Sequence, residues 1–323
     1  MDITDLVLIG RNEGARLVQA LQAAQGQASQ IIYVDSGSDD NSVQAARDMG
    51  ATVVELDTSQ PFSAARGRNA GFAASRRAVD PAEFVQFIDG DCRLEPGWTN
   101  KARIHLQSNP DLGLVTGWRS EIAPEISVYN RICDHEWHRP AGPIRACGGD
   151  MMVRAEAFVA VGGFDSGVIA AEDDDFCLRL AKAGWKLERL PHKMTWHDAA
   201  ITSFAQWWTR AVRAGHGFAQ VGNLHPEHFR AERRRVLVFG LLLPVLFVIG
   251  IVIFAPLAWA VLAGYVASYL RGYLGLRRDG LSRSEAGHQA VFLTLSKIPN
   301  LIGMARYHVR RLRKRAPRII EYQ

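Results

Sequence analysis

Cysteine is scarce in this chain and forms no motif. Cys92, Cys133, Cys147 and Cys177 are the four present, and no two make a CxxC pair. That pattern argues against a disulfide framework and favours a reducing compartment. The opening "MDITDLVLIG" lacks a basic region leading into a long apolar run. The expectation is therefore a first domain that stays in the cytoplasm rather than a secreted one. No GxGxxG follows the first apolar segment, which argues against a dinucleotide-binding dehydrogenase. "LIGRNEG" has too few glycines for the triphosphate loop of a nucleotidyltransferase. Charge is missing over one long run, since Val236 to Leu270 contains no Asp, Glu, Lys or Arg.

What is present suits two domains, or one large domain with an appendage. Hydrophobic residues make up 48% of the chain, enough for a sizeable core. The net charge of +5 is unevenly spread. Acidic residues concentrate in the first two hundred positions, and basic residues dominate after Arg230, ending in "RRLRKRAPR" at 310–318. A basic tail beside an apolar run fits an anionic membrane surface, and no nucleic-acid partner is expected.

Strand and helix patterns alternate through the first ninety residues. Strands are expected at 4–9, 30–35, 51–56 and 83–89, with helices at about 12–24 and 42–50 and a loop and helix over 62–75 between them. This alternation predicts an α/β fold with a mainly parallel sheet and helices on both faces. Beyond it, "WTNKARIHLQSN" reads as a helix and "LGLVTGWRSEI" as a strand or two. Residues 124–146 read as irregular, and "EDDDFCLRLAKAGW" as a helix with an acidic first turn. "KLERLP" and "KMTWH" read as two short extended segments.

The uncharged run predicts a hydrophobic hairpin over about 236–276. At about 1.5 Å per residue, its first nineteen positions reach nearly 30 Å, the thickness of a bilayer core. Pro256 marks the turn, and "RAERRR" and "RGYLGLRR" flank it. Arginine at both ends places both on the cytoplasmic side. A basic amphipathic helix is expected over about 287–315. The domain expectation is a catalytic part at 1–225 and a membrane-associated part at 226–323.

The chemistry-bearing residues gather at strand ends. "FVQFIDGD" closes a buried strand with Asp89 and Asp91 around Gly90, and open α/β sheets bind ligands at such ends. Two carboxylates one residue apart can hold one Mn²⁺ or Mg²⁺, hard cations that take oxygen ligands. "VDSGSDD" places Asp35 at the end of the second strand, and "ARGRNAG" supplies Arg66, Arg68 and Asn69. Guanidinium groups suit diphosphate oxygens. Cys133, His135, His138 and Cys147 are zinc-type ligands, but their spacing matches no standard zinc pattern. A loop with Trp137 as a stacking face for a sugar reads better.

In order, "RNEG", "VDSGSDD", "RGRNAG", "IDGD", "CGGDMMVRAEAFVAVGGFD", "EDDDFCLRLAKAGW" and "TWH" resemble a family 2 glycosyltransferase of the GT-A (Rossmann-like) type, over residues 4–200. The resemblance implies an inverting, metal-dependent glycosyltransferase. It takes a nucleotide-diphosphate sugar, UDP-sugar first and GDP-mannose next. It implies Asp91 on the metal, Asp89 near ribose and metal, and His197 as a further metal or diphosphate contact. Arg11, Glu13 and Asp35 fall near the base and ribose. Arg66, Arg68 and Asn69 flank the nucleotide, and Gly149, Asp150 and Trp137 line the substrate site. The catalytic base falls on Asp173, with Glu172 beside it. "QWWTRAVRAGHG" resembles the QxxRW element of processive synthases but lacks its final Trp, and reads as an amphipathic helix on the bilayer. The expected acceptor is lipid-linked or a glycan, in polysaccharide or glycolipid assembly at the cytoplasmic face of the inner membrane. A scaffold that keeps the fold without catalysis, and a nucleotidyltransferase, are the alternatives.

Overall fold

The computed structural model describes residues 4–313, which form two compact units. One comprises residues 4–124 and 133–200, the other residues 125–132 and 201–313.

The first unit is built on one sheet. Its strands are β1 (Thr4–Gly10), β2 (Gln30–Asp35), β3 (Thr52–Glu55), β4 (Phe84–Asp89), β5 (Cys92–Leu94), β6 (Leu112–Glu121), β7 (Gly142–Pro143), β8 (Met151–Arg154) and β9 (Lys186–His197). Their order is β3-β2-β1-β4-β8-β6-β9-β5, with β7 also on β9. β3, β2, β1 and β4 run parallel. They are joined by crossover helices α1 (Ala15–Ala24), α2 (Ser42–Asp48) and α3 (Ala64–Ser75), the connection that parallel neighbours require.

The expectation of a mainly parallel sheet fails beyond β4. β8 is antiparallel to both β4 and β6, and β5 and β7 are antiparallel to β9. Only β6 and β9 continue the parallel sense. β4 runs into β5 across Gly90–Asp91 with no crossover helix between them, and β5 lies at the edge beside β9.

Helices cover both faces, as the alternation of side chains requires. On β1, Leu6 and Leu8 face one core, where α1 and α4 (Trp98–Ser108) pack; Val7 and Ile9 face the other. The second core takes residues from α3, α6 (Ala155–Ala160) and α7 (Glu172–Lys182).

Several boundaries differ from the sequence reading. α1 starts at Ala15 rather than near 12, because Asn12 and Gly14 adopt positive φ of 57° and 51°. The stretch read as irregular contains α5 (Val128–Trp137), whose first turn is capped by Ser127 Oγ accepting from Asn130 N. The two extended segments before His197 are the single strand β9, with Pro191 at a register irregularity where no ladder donor is needed.

In the second unit α8 (Phe204–Leu224) packs against α13 (Lys297–Leu312), so the break falls at 200 rather than 225. Between them run α9 (Arg230–Val236), a π-helical turn at Leu237–Leu242, α10 (Leu243–Ile253), α11 (Ala255–Arg278) and α12 (Arg283–Leu295). The hairpin turns at Phe254, with Pro256 in the first turn of α11, where a missing N–H costs little. Pro244 sits just past the π-helical turn, which absorbs its missing donor. The expected single amphipathic helix is instead two, α12 and α13, broken at Ser296. Its basic end from Lys314 onward lies outside the described residues. Among the described residues one helix, 230–253, is long and apolar enough to cross a membrane; a second such span is not present.

Candidate active site

The parallel register aligns the strand ends. Gly10 pairs with Asp35, and Ile9 with Asp89, so "RNEG", "VDSGSDD" and "IDGD" meet at one sheet edge. β5 pairs with β9 so that Cys92 lies opposite His197, which brings "TWH" to the same place.

One donor atom from each of Asp89, Asp91, Cys92 and His197 falls within 4.8 Å of the others. Asp91 Oδ1 is 3.5 Å from His197 Nε2. Burial and the charge of Asp89 push the Asp91 carboxyl up to about 7. Burial, and then Arg119, hold His197 down at about 4, so its ring is neutral and offers a lone pair. Nδ1 of this buried His197 has no hydrogen-bond partner. Crowded carboxylates that resist ionisation, with the Nε2 of a neutral imidazole facing them, are the environment that a divalent cation reverses. The residues fit such an ion.

Gly90 suits a close approach. A Cβ there would lie 3.2 Å from Ile9 O and 3.1 Å from Glu13 Cγ. Glu13 thus covers the loop, pairs with Arg16 at 2.8 Å, and is raised to about 7 by burial and by Asp91.

Arg68 joins the two acidic motifs. Its Nη2 donates to Asp89 Oδ1 at 2.8 Å and its Nη1 to Glu172 Oε1 at 2.7 Å. Burial works against its charge, but Asp89, Glu172 and Asp173 outweigh it and hold its pKa above the ordinary value. Phe164 lies beside the guanidinium, 5.5 Å from ring centroid to Cζ. Gly149 makes room, because a Cβ there would lie 2.0 Å from Arg68 Nη2. Next to Glu172, burial and the charges of Glu172 and Asp174 raise the Asp173 carboxyl well above the usual range.

Asp173 borders a cavity of about 320 Å³ that Trp137, Arg119, Asp150 and Arg189 also line. Asp150 is not free for substrate. It accepts from Arg119 Nε at 3.0 Å and from Thr195 Oγ1 at 2.6 Å. Arg119 lies over the Trp137 ring at 5.3 Å, and Trp137 packs edge-on against His197 at 4.7 Å. Arg119 and Cys92 escaped the sequence reading. The signal for Arg119 was a basic residue inside a largely apolar strand, "GLVTGWRSE".

Other expected site residues serve the loops. Asp35 accepts from Gly37 N, Ser38 N, Ser38 Oγ and Tyr33 Oη. Arg66 donates to the carbonyls of Asp57, Gln60 and Pro61, so its guanidinium is taken up by its own loop. Asn69 exchanges two bonds with the Phe164 backbone and so positions the ring beside Arg68. Arg11 donates to Gly37 O and lies over Phe62. Cys147 meets Cys177 at 3.7 Å rather than Cys133 or the histidines.

A mixed α/β unit with an acidic pair at a strand end, tied to a second acidic pair on a helix, defines the class. The chain belongs to glycosyl transferase family group 2, whose model matches residues 84–276, and the model of glycosyl transferase family 2 matches residues 5–146. It is 26% identical over 244 residues to the pre-mycofactocin glycosyltransferase of Mycobacterium tuberculosis, in strains CDC 1551 and H37Rv. That match covers 70% of this chain and 48% of the relative, so the chain spans about half the relative's length. Among solved structures, it is similar in fold to the mannosyltransferase PcManGT from Pyrobaculum calidifontis, solved with GDP-Man and Mn²⁺. The TM-score is 0.60 at 16% identity, covering 94% of this chain and 86% of that one.

Proposed function

We propose that the chain is an inverting glycosyltransferase that moves a sugar from a nucleotide-diphosphate sugar to a hydroxyl of a lipid-linked or glycan acceptor. The observation that carries this reading is Arg68, which holds Asp89 and Glu172 on one guanidinium. The two acidic motifs, far apart in sequence, therefore work on one substrate.

A divalent cation held by Asp89, Asp91 and His197 would supply positive charge against the departing diphosphate. Asp173 accepts the proton of the acceptor hydroxyl at its carboxylate. Burial, and then its neighbours Glu172 and Asp174, favour that proton by raising the carboxyl pKa. Such a base typically contributes about 10²–10⁴ in rate. Attack from the face opposite the leaving group inverts the anomeric carbon. Trp137 offers the acceptor a ring face in the cavity wall, and Arg119 and His197 fix the indole from two sides.

The second unit supports a place at the cytoplasmic face of a membrane. Val252 and Ile253 at the hairpin turn are each 77% exposed, and Phe254 and Trp259 beside them are also exposed. So large an exposed apolar surface is costly in water. Arg233, Arg234 and Arg235 before it, and Arg271, Arg277 and Arg278 after it, suit anionic headgroups on one side. Holding the enzyme at the bilayer raises its effective concentration against a lipid-linked acceptor.

The test is a donor screen by mass spectrometry on the detergent-solubilised protein, with and without chelator. Sugar transfer from one nucleotide sugar, lost on chelation, supports the reading. Turnover of no nucleotide sugar with any lipid or glycan acceptor contradicts it.

A further inference from the structure

We propose that Arg189 and Arg139 hold an anionic group of the acceptor, a phosphate or a carboxylate, in the cavity that Asp173 borders. The proposal rests on the reading of Asp173 as the base that takes the acceptor's proton.

β9 sets Arg189 between Thr116 of β6 and Gly142 of β7. The side chain is 9% exposed and lines the same cavity wall as Asp173. Packing between strands would by itself account for its long apolar stem. It does not account for the guanidinium, because buried arginines are as a rule paired. Among the described residues Arg189 makes one hydrogen bond. Its Nη1 donates to Pro140 O at 3.4 Å, longer than the usual range of about 2.7–3.2 Å. Its Nε is buried without a partner.

Arg139 is the second observation. Its Nε donates to Glu136 O at 2.9 Å and its carbonyl accepts from Trp118 Nε1 at 2.8 Å, which fixes it on the cavity wall. Glu136, Asp150, Asp173 and Asp174 share that wall, yet neither arginine forms an ion pair with a described residue. Burial works against the charge of Arg189, Cys147 and Cys177 offset part of that, and Arg139 adds to it. Two guanidiniums that repel each other and lack a carboxylate between them suit the oxygens of a phosphate or carboxylate.

The place of the anion follows from the wall. Asp173 lines the cavity, whereas Asp89 and Asp91, which take the donor diphosphate, do not. Its volume of about 320 Å³ is within the range of small-molecule sites. A hydroxyl at Asp173 and an anion at Arg189 would fix the acceptor at two points, with Trp137 against its ring.

The experiment uses the full chain in detergent and compares glucose 6-phosphate, glucuronic acid and glucose by calorimetry. The expected result is that both anionic sugars bind at least about tenfold more tightly than glucose. In Arg189→Gln their affinity falls by about 10–100-fold while that for glucose changes little. Arg139→Gln, at an exposed position, loses part of the same preference. Equal binding of the three sugars by the unaltered protein, or binding of none, overturns the proposal whatever the folding of the variants. A preference that survives both substitutions also overturns it. A second arm compares UDP-glucuronic acid with UDP-glucose. A preference for the first that is lost in Arg189→Gln moves the anion to the donor sugar and overturns the acceptor role. Sugar transfer without any anion preference overturns this proposal alone. Anion preference in a protein that transfers no sugar overturns the transferase reading and the acceptor role with it.

Discussion

Arg68 and Glu172, 104 positions apart, are joined by a buried ion pair of 2.7 Å, and the other arm of the same guanidinium holds Asp89. A planar fork can serve two carboxylates at once, and an ammonium cannot do so with the same geometry. Arg68→Lys should therefore keep the fold and lower kcat by at least about tenfold. Arg68→Met should also destabilise the protein by about 3–5 kcal/mol, since two carboxylates would lose their buried partner. Denaturant unfolding and steady-state kinetics on both variants check this.

Gly149 tests the same arrangement from the other side. A methyl group at this position meets Arg68 Nη2 at 2.0 Å and Cζ at 2.9 Å. Gly149→Ala must push the guanidinium off at least one carboxylate. The expected loss is about 1–3 kcal/mol of stability, with a fall in kcat to match Arg68→Lys. Gly275→Ala is the control: nothing lies within 4 Å of the added methyl, and its helix should be unharmed.

Asp5 gives a pH signature away from the site. Burial raises its carboxyl to about 6, and Arg76 and Ser75 only partly oppose that. Its Oδ2 has no hydrogen-bond partner. Below about pH 4 the group is protonated in both folded and unfolded chains. As pH climbs toward 6 the unfolded chain ionises first, so folding stability falls, then levels off above the folded pKa. Asp5→Asn should raise stability at pH 7 by about 1–3 kcal/mol, less what Arg76 loses, and the gain should vanish below about pH 4. Thermal unfolding of both proteins across that range reads it directly.

The second unit depends on glycine contacts between helices. A Cβ on Gly303 would lie 2.0 Å from Val212 O, and one on Gly215 would lie 2.0 Å from Asn300 O. α8 and α13 therefore cross backbone to backbone, as small residues permit. Gly303→Leu should part them, with about 1–3 kcal/mol lost and α13 opened to protease in detergent. Protection equal to the unaltered protein would count against this packing.

How far the sequence foretold the structure differs by region. The four parallel strands and their helices were readable, because each strand alternates between two cores and each crossover carries its own helical period. Asp35, Asp89 and Asp173 were readable as motif residues at element ends. The far half of the sheet was not. Nothing local in "CGGDMM" says that β8 runs against β4, and Gly90–Asp91 conceals a departure to the opposite edge beside β9. Arg68 read as a nucleotide contact. Its bond to Glu172 could not be inferred without knowing that Gly149 leaves a gap for it. Arg66 and Asp35 also bond within nearby loops, which local sequence does not announce.

The central claim is that Asp173 is the proton acceptor in a sugar transfer whose donor rests on Asp89 and Asp91. Asp173→Asn keeps the shape of the side chain and removes the base. With the donor found by the screen, calorimetry and single-turnover transfer should show donor affinity within about threefold of the unaltered protein and a transfer rate lower by about 10²–10⁴. Transfer at the unaltered rate would contradict the account.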